Sequence, residues 1–167
     1  MTQKTGEGQM KLNHAVLKVK DLDRSVAFYR DTFGFTEIGR AGRRMAFMRA
    51  PGSANHHDLG FLALGAHATE PPQSAVGLFH LAWQVPTIED LAAMRAMLIQ
   101  RGVQSGESDH GATKSVYGVD PDGHEFEIMW MVPRERWGEF ESQAPTLPLD
   151  IDAELKRFGA SGATTKG

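Results

Sequence analysis

The chain has 167 residues, 41% of them hydrophobic and 23% charged, with a formal net charge of −3. That length suffices for one domain with its own core, and the charge gives no electrostatic reason to expect nucleic acid or an anionic membrane as partner. There is no cysteine, so disulfides and thiolate metal sites are excluded; any metal must be held by carboxylates and the seven histidines.

No apolar run approaches the length of a transmembrane helix, and the opening stretch MTQKTGEGQMK lacks an apolar signal core. A reducing cytoplasm is the expected compartment. The first strand pattern is LNHAVLKV (12–19), in which Ala15, Leu17 and Val19 form an apolar face opposite His14. Asp21 then caps a helix carrying Leu22, Val26, Tyr29 and Phe33, closed by Gly34. Three strand patterns follow: FTEIGR (35–40), RRMAFMRA (43–50) and DLGFLALG (58–65). The Ala- and Pro-rich AHATEPPQSAVG (66–77) reads as a linker.

The pattern then repeats. LFHLAWQV (78–85) aligns with LNHAVLKV and sets Leu81, Trp83 and Val85 opposite His80. Thr87 with Asp90 resembles a capping box, Ile88, Leu91, Met94 and Leu98 share a helix face, and Gly102 ends it. A poorly defined piece near 103–108 is followed by TKSVYGV (113–119) and EFEIMWM (125–131). We therefore expect an α+β fold in a single domain, with two tandem βαβββ modules at 12–65 and 78–132. Their strands would form one curved, open-barrel-like mixed sheet around a metal cleft, with the helices outside. A C-terminal extension, 133–167, would hold one short helix near 150–158 and a frayed tail.

Glu127 lies between Phe126 and Ile128 in the last strand pattern. A lone buried carboxylate is costly, so a partner is required. By alternation Glu127 points away from Phe126, Ile128 and Trp130. If those three face the helices, Glu127 faces the cleft, as do His14 and His80. Aligning HDLGFLAL (57–64) with HEFEIMWM (124–131) places Gly60 opposite Glu127, so no fourth ligand is available there. Two imidazoles and one carboxylate make a facial triad suited to Fe(II), with Mn(II) or zinc able to use the same ligand types. The DPDG turn at 120–123 would set the register that sends Glu127 into the cleft.

This repeat, with a His opening each module and a Glu on the last strand, resembles the vicinal oxygen chelate superfamily. That group contains glyoxalases, fosfomycin- and bleomycin-resistance proteins, and extradiol ring-cleaving dioxygenases. Within it, DHGATKSVYGVDPDGHEFE (109–127) resembles the extradiol motif through His110, Val116, Tyr117, Asp120, Pro121, Gly123 and Glu127. Ser108 departs from the small or apolar residue that the motif prefers there. The likeness covers residues 12 to 132 and, with one pair of modules, is to the small single-domain dioxygenases. It implies iron ligands at His14, His80 and Glu127, a His57 in the segment NHHD (55–58) that acts beside the metal without ligating it, and catechol-pocket roles for His110 and Tyr117. It further implies a small aromatic diol and O₂ as substrates, Fe(II) as cofactor and a homodimer as the assembly. Glyoxalases generally place a fourth ligand at the Gly60 position, so Gly60 counts against that chemistry. A metal-dependent lyase or isomerase, an antibiotic-modifying enzyme or a non-catalytic binding protein are the alternatives on the same fold.

Among other residues, His56 reads as solvent-exposed, and Arg43, Arg44 and Arg49 as a solvated edge. Phe47, Met48, Phe61 and Met129 fit either pocket or core, while alternation favours core for Trp83 and Trp130.

Overall fold

The computed structural model describes residues 11–72 and 74–160. The chain divides into two compact units, Met1–Thr69 and Glu70–Gly167.

In the first unit, β1 (Ala15–Val19) leads into α1 (Leu22–Phe33), then β2 (Thr36–Ala41), β3 (Met45–Arg49) and β4 (Leu59–Ala63). The helix begins where the Asp21 side chain accepts from the Arg24 N–H and ends at Gly34, whose φ of 71° suits a residue without Cβ. The sheet order is β1-β4-β3-β2, with β1 parallel to β4 and the other pairs antiparallel. Leu17 and Val19 are buried while Lys18 is exposed, so the period-two pattern governs the strand. Tyr29 on α1 meets Phe61 on β4 at 5.2 Å between ring centroids. With Met48 and Leu59 they form the unit's core, each contributing roughly 1.5–3 kcal/mol through burial.

The second unit repeats this plan with β5 (His80–Gln84), α2 (Ile88–Arg101), β6 (Gln104–Asp109), β7 (Thr113–Val119) and β8 (Glu125–Met131). Its sheet order is β5-β8-β7-β6, again with only the first pair parallel. The capping box is present: Thr87 Oγ1 accepts from the Asp90 N–H, and Asp90 accepts from the Thr87 N–H. Gly102 closes the helix with φ 68°. Two short 3₁₀ turns, Arg134–Arg136 and Gly138–Glu141, precede α3 (Ile151–Phe158), which is capped by Asp150.

The α+β class and the duplicated strand-helix-three-strand plan hold. The strands form two four-stranded sheets rather than one continuous curved sheet, because every ladder pairs strands of the same unit. The ill-defined piece at 103–108 is a full strand, β6, whose alternation is interrupted by a register shift between Gln104 and Gly106. Phe126, Ile128 and Trp130 are buried, as are Met48 and Phe61, whereas Trp83 is half-buried. The short helix stands at 151–158; residues 161–167 of the tail and the first ten residues lie outside the described part.

Candidate metal and substrate site

The two ladders have the same register. Ala15 on β1 pairs with Leu59 and Val16 with Gly60; His80 on β5 pairs with Glu125 and Ala82 with Glu127. Counting two residues on from each His therefore reaches Gly60 in one unit and Glu127 in the other. Across the next ladder Gly60 faces Phe47 and Glu127 faces Tyr117. At these equivalent positions the first unit carries Gly60 and Phe47 and the second carries Glu127 and Tyr117. A Cβ at Gly60 would sit 3.2 Å from Val16 Cγ2, so the position is also tight.

In the second unit Glu127 is 8% exposed and meets His80, Oε2 to Nε2, at 3.0 Å. The other ring nitrogen of His80, Nδ1, lies 3.2 Å from Glu125 Oε1. A carboxylate only accepts, so both contacts call for a ring proton, and in a neutral ring, which has one, a nitrogen lone pair is left facing one of the two carboxylate oxygens. Two lone pairs at that distance require a proton or a cation between them. Holding one imidazole nitrogen on a carboxylate so that the other is free to ligate is the usual way a metal-binding His is oriented. The pair thus fits one edge of a divalent cation site. Glu125 is a residue that the sequence reading missed; only the parallel register, which sets it beside His80, reveals it.

Tyr117 stands 3.4 Å from Glu127 Oε1 and 2.8 Å from His110 Nε2. Burial and then the Glu127 carboxylate push the Tyr117 hydroxyl above the usual phenol value, so it stays protonated. His110 Nδ1 reaches the carbonyl of Pro145 at 2.7 Å. His80, His110, Tyr117, Glu125 and Glu127 line one cavity of about 630 Å³, together with Ser108, Thr146 and others. That volume suits a small organic ligand.

In the first unit His14 is exposed, immediately precedes β1, and contacts Asn13 Oδ1 through Nδ1 at 3.0 Å. Its ring lies 4.4 Å from that of His57, which in turn meets the edge of Phe47 at 5.0 Å. Burial, then the neighbouring His14 and His56, push the His57 ring below the ordinary imidazole value. His56 is exposed and its Nδ1 is 3.1 Å from His57 Nδ1. Arg49 departs from a purely solvated role: it donates twice to the His56 carbonyl, at 3.1 and 3.0 Å.

The structure therefore brings His80, Glu127, Tyr117 and His110 together in the second unit, and His14 with His57 in the first. Among the described residues no group of three or more His, Cys, Asp or Glu side chains is gathered as a complete metal site. None of the helices is long and apolar enough to cross a membrane, among the described residues.

The Glyoxalase/Bleomycin resistance protein/Dioxygenase superfamily description matches residues 11–128. The chain belongs to this superfamily. It is 30% identical over 158 residues to catechol-2,3-dioxygenase of Bacillus subtilis, covering 92% of this chain and 54% of that protein. It is 29% identical over 131 residues to the manganese-dependent 2,3-dihydroxybiphenyl 1,2-dioxygenase of Geobacillus genomosp. 3, covering 75% of this chain and 38% of that protein. The chain thus spans about half or less of the length of these two relatives. Among solved structures it is similar to a genomically encoded fosfomycin resistance protein, FosX, of Listeria monocytogenes. That likeness has 25% identity and a TM-score of 0.58, covering 77% of this chain and 98% of the other. Superfamily membership settles the fold; the reaction itself does not follow from the fold.

Proposed function

We propose that the protein is an extradiol dioxygenase that opens a catecholic ring with O₂ and depends on a divalent metal, Fe(II) first and Mn(II) as substitute. The observation that carries this reading is the grouping of Glu127, Tyr117 and His110 in the wall of a cavity that also holds His80. The dioxygenase names of the two relatives above support it.

His14, His80 and Glu127 would hold the metal, with Glu125 keeping His80 in orientation through Nδ1. A bound metal supplies Lewis acidity, lowering the pKa of a catechol hydroxyl, and as Fe(II) it supplies the redox partner for O₂. The chain's own groups handle protons. Tyr117 and His110 sit where a diol oxygen in the cavity could exchange a hydrogen bond with the phenol, assisting deprotonation. His57, kept neutral near pH 7 by its depressed pKa, is the group proposed to stabilise the reacting oxygen atoms by a hydrogen bond from its ring N–H. The partners are a small aromatic diol, O₂ and a second copy of the chain in a homodimer. The acting unit would be one domain of two modules joined by the 66–77 linker.

The direct test is to load the protein with Fe(II) without oxygen, then admit air in the presence of a panel of catechols. Ring-opened product matching O₂ consumed is expected. Oxygen uptake with no ring-opened product overturns the reading. A second reading, a metal-dependent transferase, lyase or isomerase on the same fold, is favoured by one fact: the chain spans 98% of the fosfomycin resistance protein but only 54% of the catechol dioxygenase. Turnover without O₂ would establish it.

A further inference from the structure

We propose that the backbone carbonyl of Pro145, carried on the C-terminal extension, fixes the tautomer of His110, with Nδ1 protonated and the basic Nε2 turned to Tyr117. A carbonyl oxygen can only accept. The 2.7 Å contact from His110 Nδ1 to Pro145 O therefore places the ring proton on Nδ1. In the neutral ring, Nε2 is then an acceptor, and its 2.8 Å partner, the Tyr117 hydroxyl, must donate to it.

The consequence reaches the cavity. Tyr117 has a single hydroxyl proton. It goes to His110 at 2.8 Å, not to Glu127 Oε1 at 3.4 Å. The phenol oxygen keeps its lone pairs for an incoming hydroxyl. A proton leaving that hydroxyl is taken up by the Tyr117 oxygen as the Tyr117 proton passes to His110 Nε2. The resulting imidazolium keeps Nδ1–H on the Pro145 carbonyl. The opposite tautomer would aim N–H at the phenol and leave two acceptors, Nδ1 and the carbonyl, facing each other at 2.7 Å. Pro145 is thus a positioning residue that acts through His110.

The extension is built to hold this geometry. Asp109, beside His110, pairs with Leu147 in both directions, N–H to O at 2.8 and 2.9 Å. The Asp109 carboxylate accepts from the Gly111 N–H at 2.7 Å and from Lys114 Nζ at 2.5 Å. Buried Lys114 also faces Glu154 on α3 at 3.5 Å. Gly111 has φ 77°, and a Cβ there would lie 2.4 Å from the Phe140 ring, so the extension packs directly on the loop that carries His110. Both ends of the His110–Pro145 hydrogen bond are therefore anchored. Ala144 and Thr146, flanking Pro145, line the cavity.

The tautomer stands independently of the reaction; only its role as the proton's destination rests on the dioxygenase reading. The test is long-range ¹H–¹⁵N correlation of the histidine rings in the whole 167-residue chain, metal-free at pH 8, in the parent and in Tyr117→Phe. The expected result is a protonated Nδ1 and an unprotonated Nε2 at His110 in both proteins. An Nε2–H ring in the parent, or both nitrogens protonated, overturns the proposal. Reversion to Nε2–H in Tyr117→Phe alone also overturns it, because Tyr117 and not Pro145 would then set the tautomer. A failure to open catechols leaves these spectra unchanged, so the two readings fail separately.

Discussion

His80 Nε2 and Glu127 Oε2 face each other at 3.0 Å, while His80 Nδ1 is held 3.2 Å from Glu125. One imidazole is thus gripped by one carboxylate and presented to another, an arrangement that needs a cation between the second pair or a second ring proton.

His80→Ala and Glu127→Ala are expected to lose bound metal. Metal analysis after anaerobic loading with Fe(II) or Mn(II) checks this. Metal content equal to the parent in either variant would remove these residues from the ligand set.

Glu125→Ala tests orientation separately from ligation. His80 and Glu127 remain, but the ring loses its Nδ1 acceptor. Metal affinity is expected to fall about 10- to 100-fold. Titration calorimetry or a competing chelator measures it, and an unchanged affinity would mean that Glu125 is only a surface carboxylate.

Tyr117→Phe keeps the ring and removes the hydroxyl that lies 2.8 Å from His110 and 3.4 Å from Glu127. Turnover of a catechol is expected to fall about 100-fold or more, with metal content unchanged, because proton handling and not ligation is lost. Steady-state kinetics beside metal analysis separates the two effects; loss of metal would contradict the assignment.

Gly118→Ala tests packing beneath the site. The added Cβ would lie 2.5 Å from Phe126 Cζ and 2.7 Å from the Val103 carbonyl. We expect about 1–3 kcal/mol of destabilisation, read from the urea midpoint. A midpoint equal to that of the parent would show that β7 can shift freely.

Asp58 carries the pH dependence of the turn before β4. Burial pushes its carboxyl up, but hydrogen bonds from Ala50 N–H, Ser53 and Asn55 outweigh this and hold it below the usual carboxylate range. The folded chain therefore binds that proton more weakly than the unfolded chain. The stabilisation is full above the ordinary Asp value of about 3.9 and is lost as pH falls through the lower folded value. Asp58→Asn should cost about 1–2 kcal/mol at pH 7. Its gap from the parent should narrow in acid, and urea titrations across that range check this; a constant gap would contradict it.

Much of this was written locally in the chain. Capping residues Asp21 and Thr87, closing glycines 34 and 102, and two-residue alternation fix each βαβββ run, because these signals act over a few residues. The repeat also fixed the equivalence of Gly60 and Glu127, since two strands of the same length and pairing give the same register. Tertiary structure decided the rest. That Glu125 grips His80, that Pro145 holds His110, and that the strands pair as two sheets depend on hydrogen bonds between residues far apart in sequence. A carboxylate beside an apolar run, or a proline in an irregular segment, has no periodicity to betray its partner. Only the folded backbone brings the two within hydrogen-bond reach.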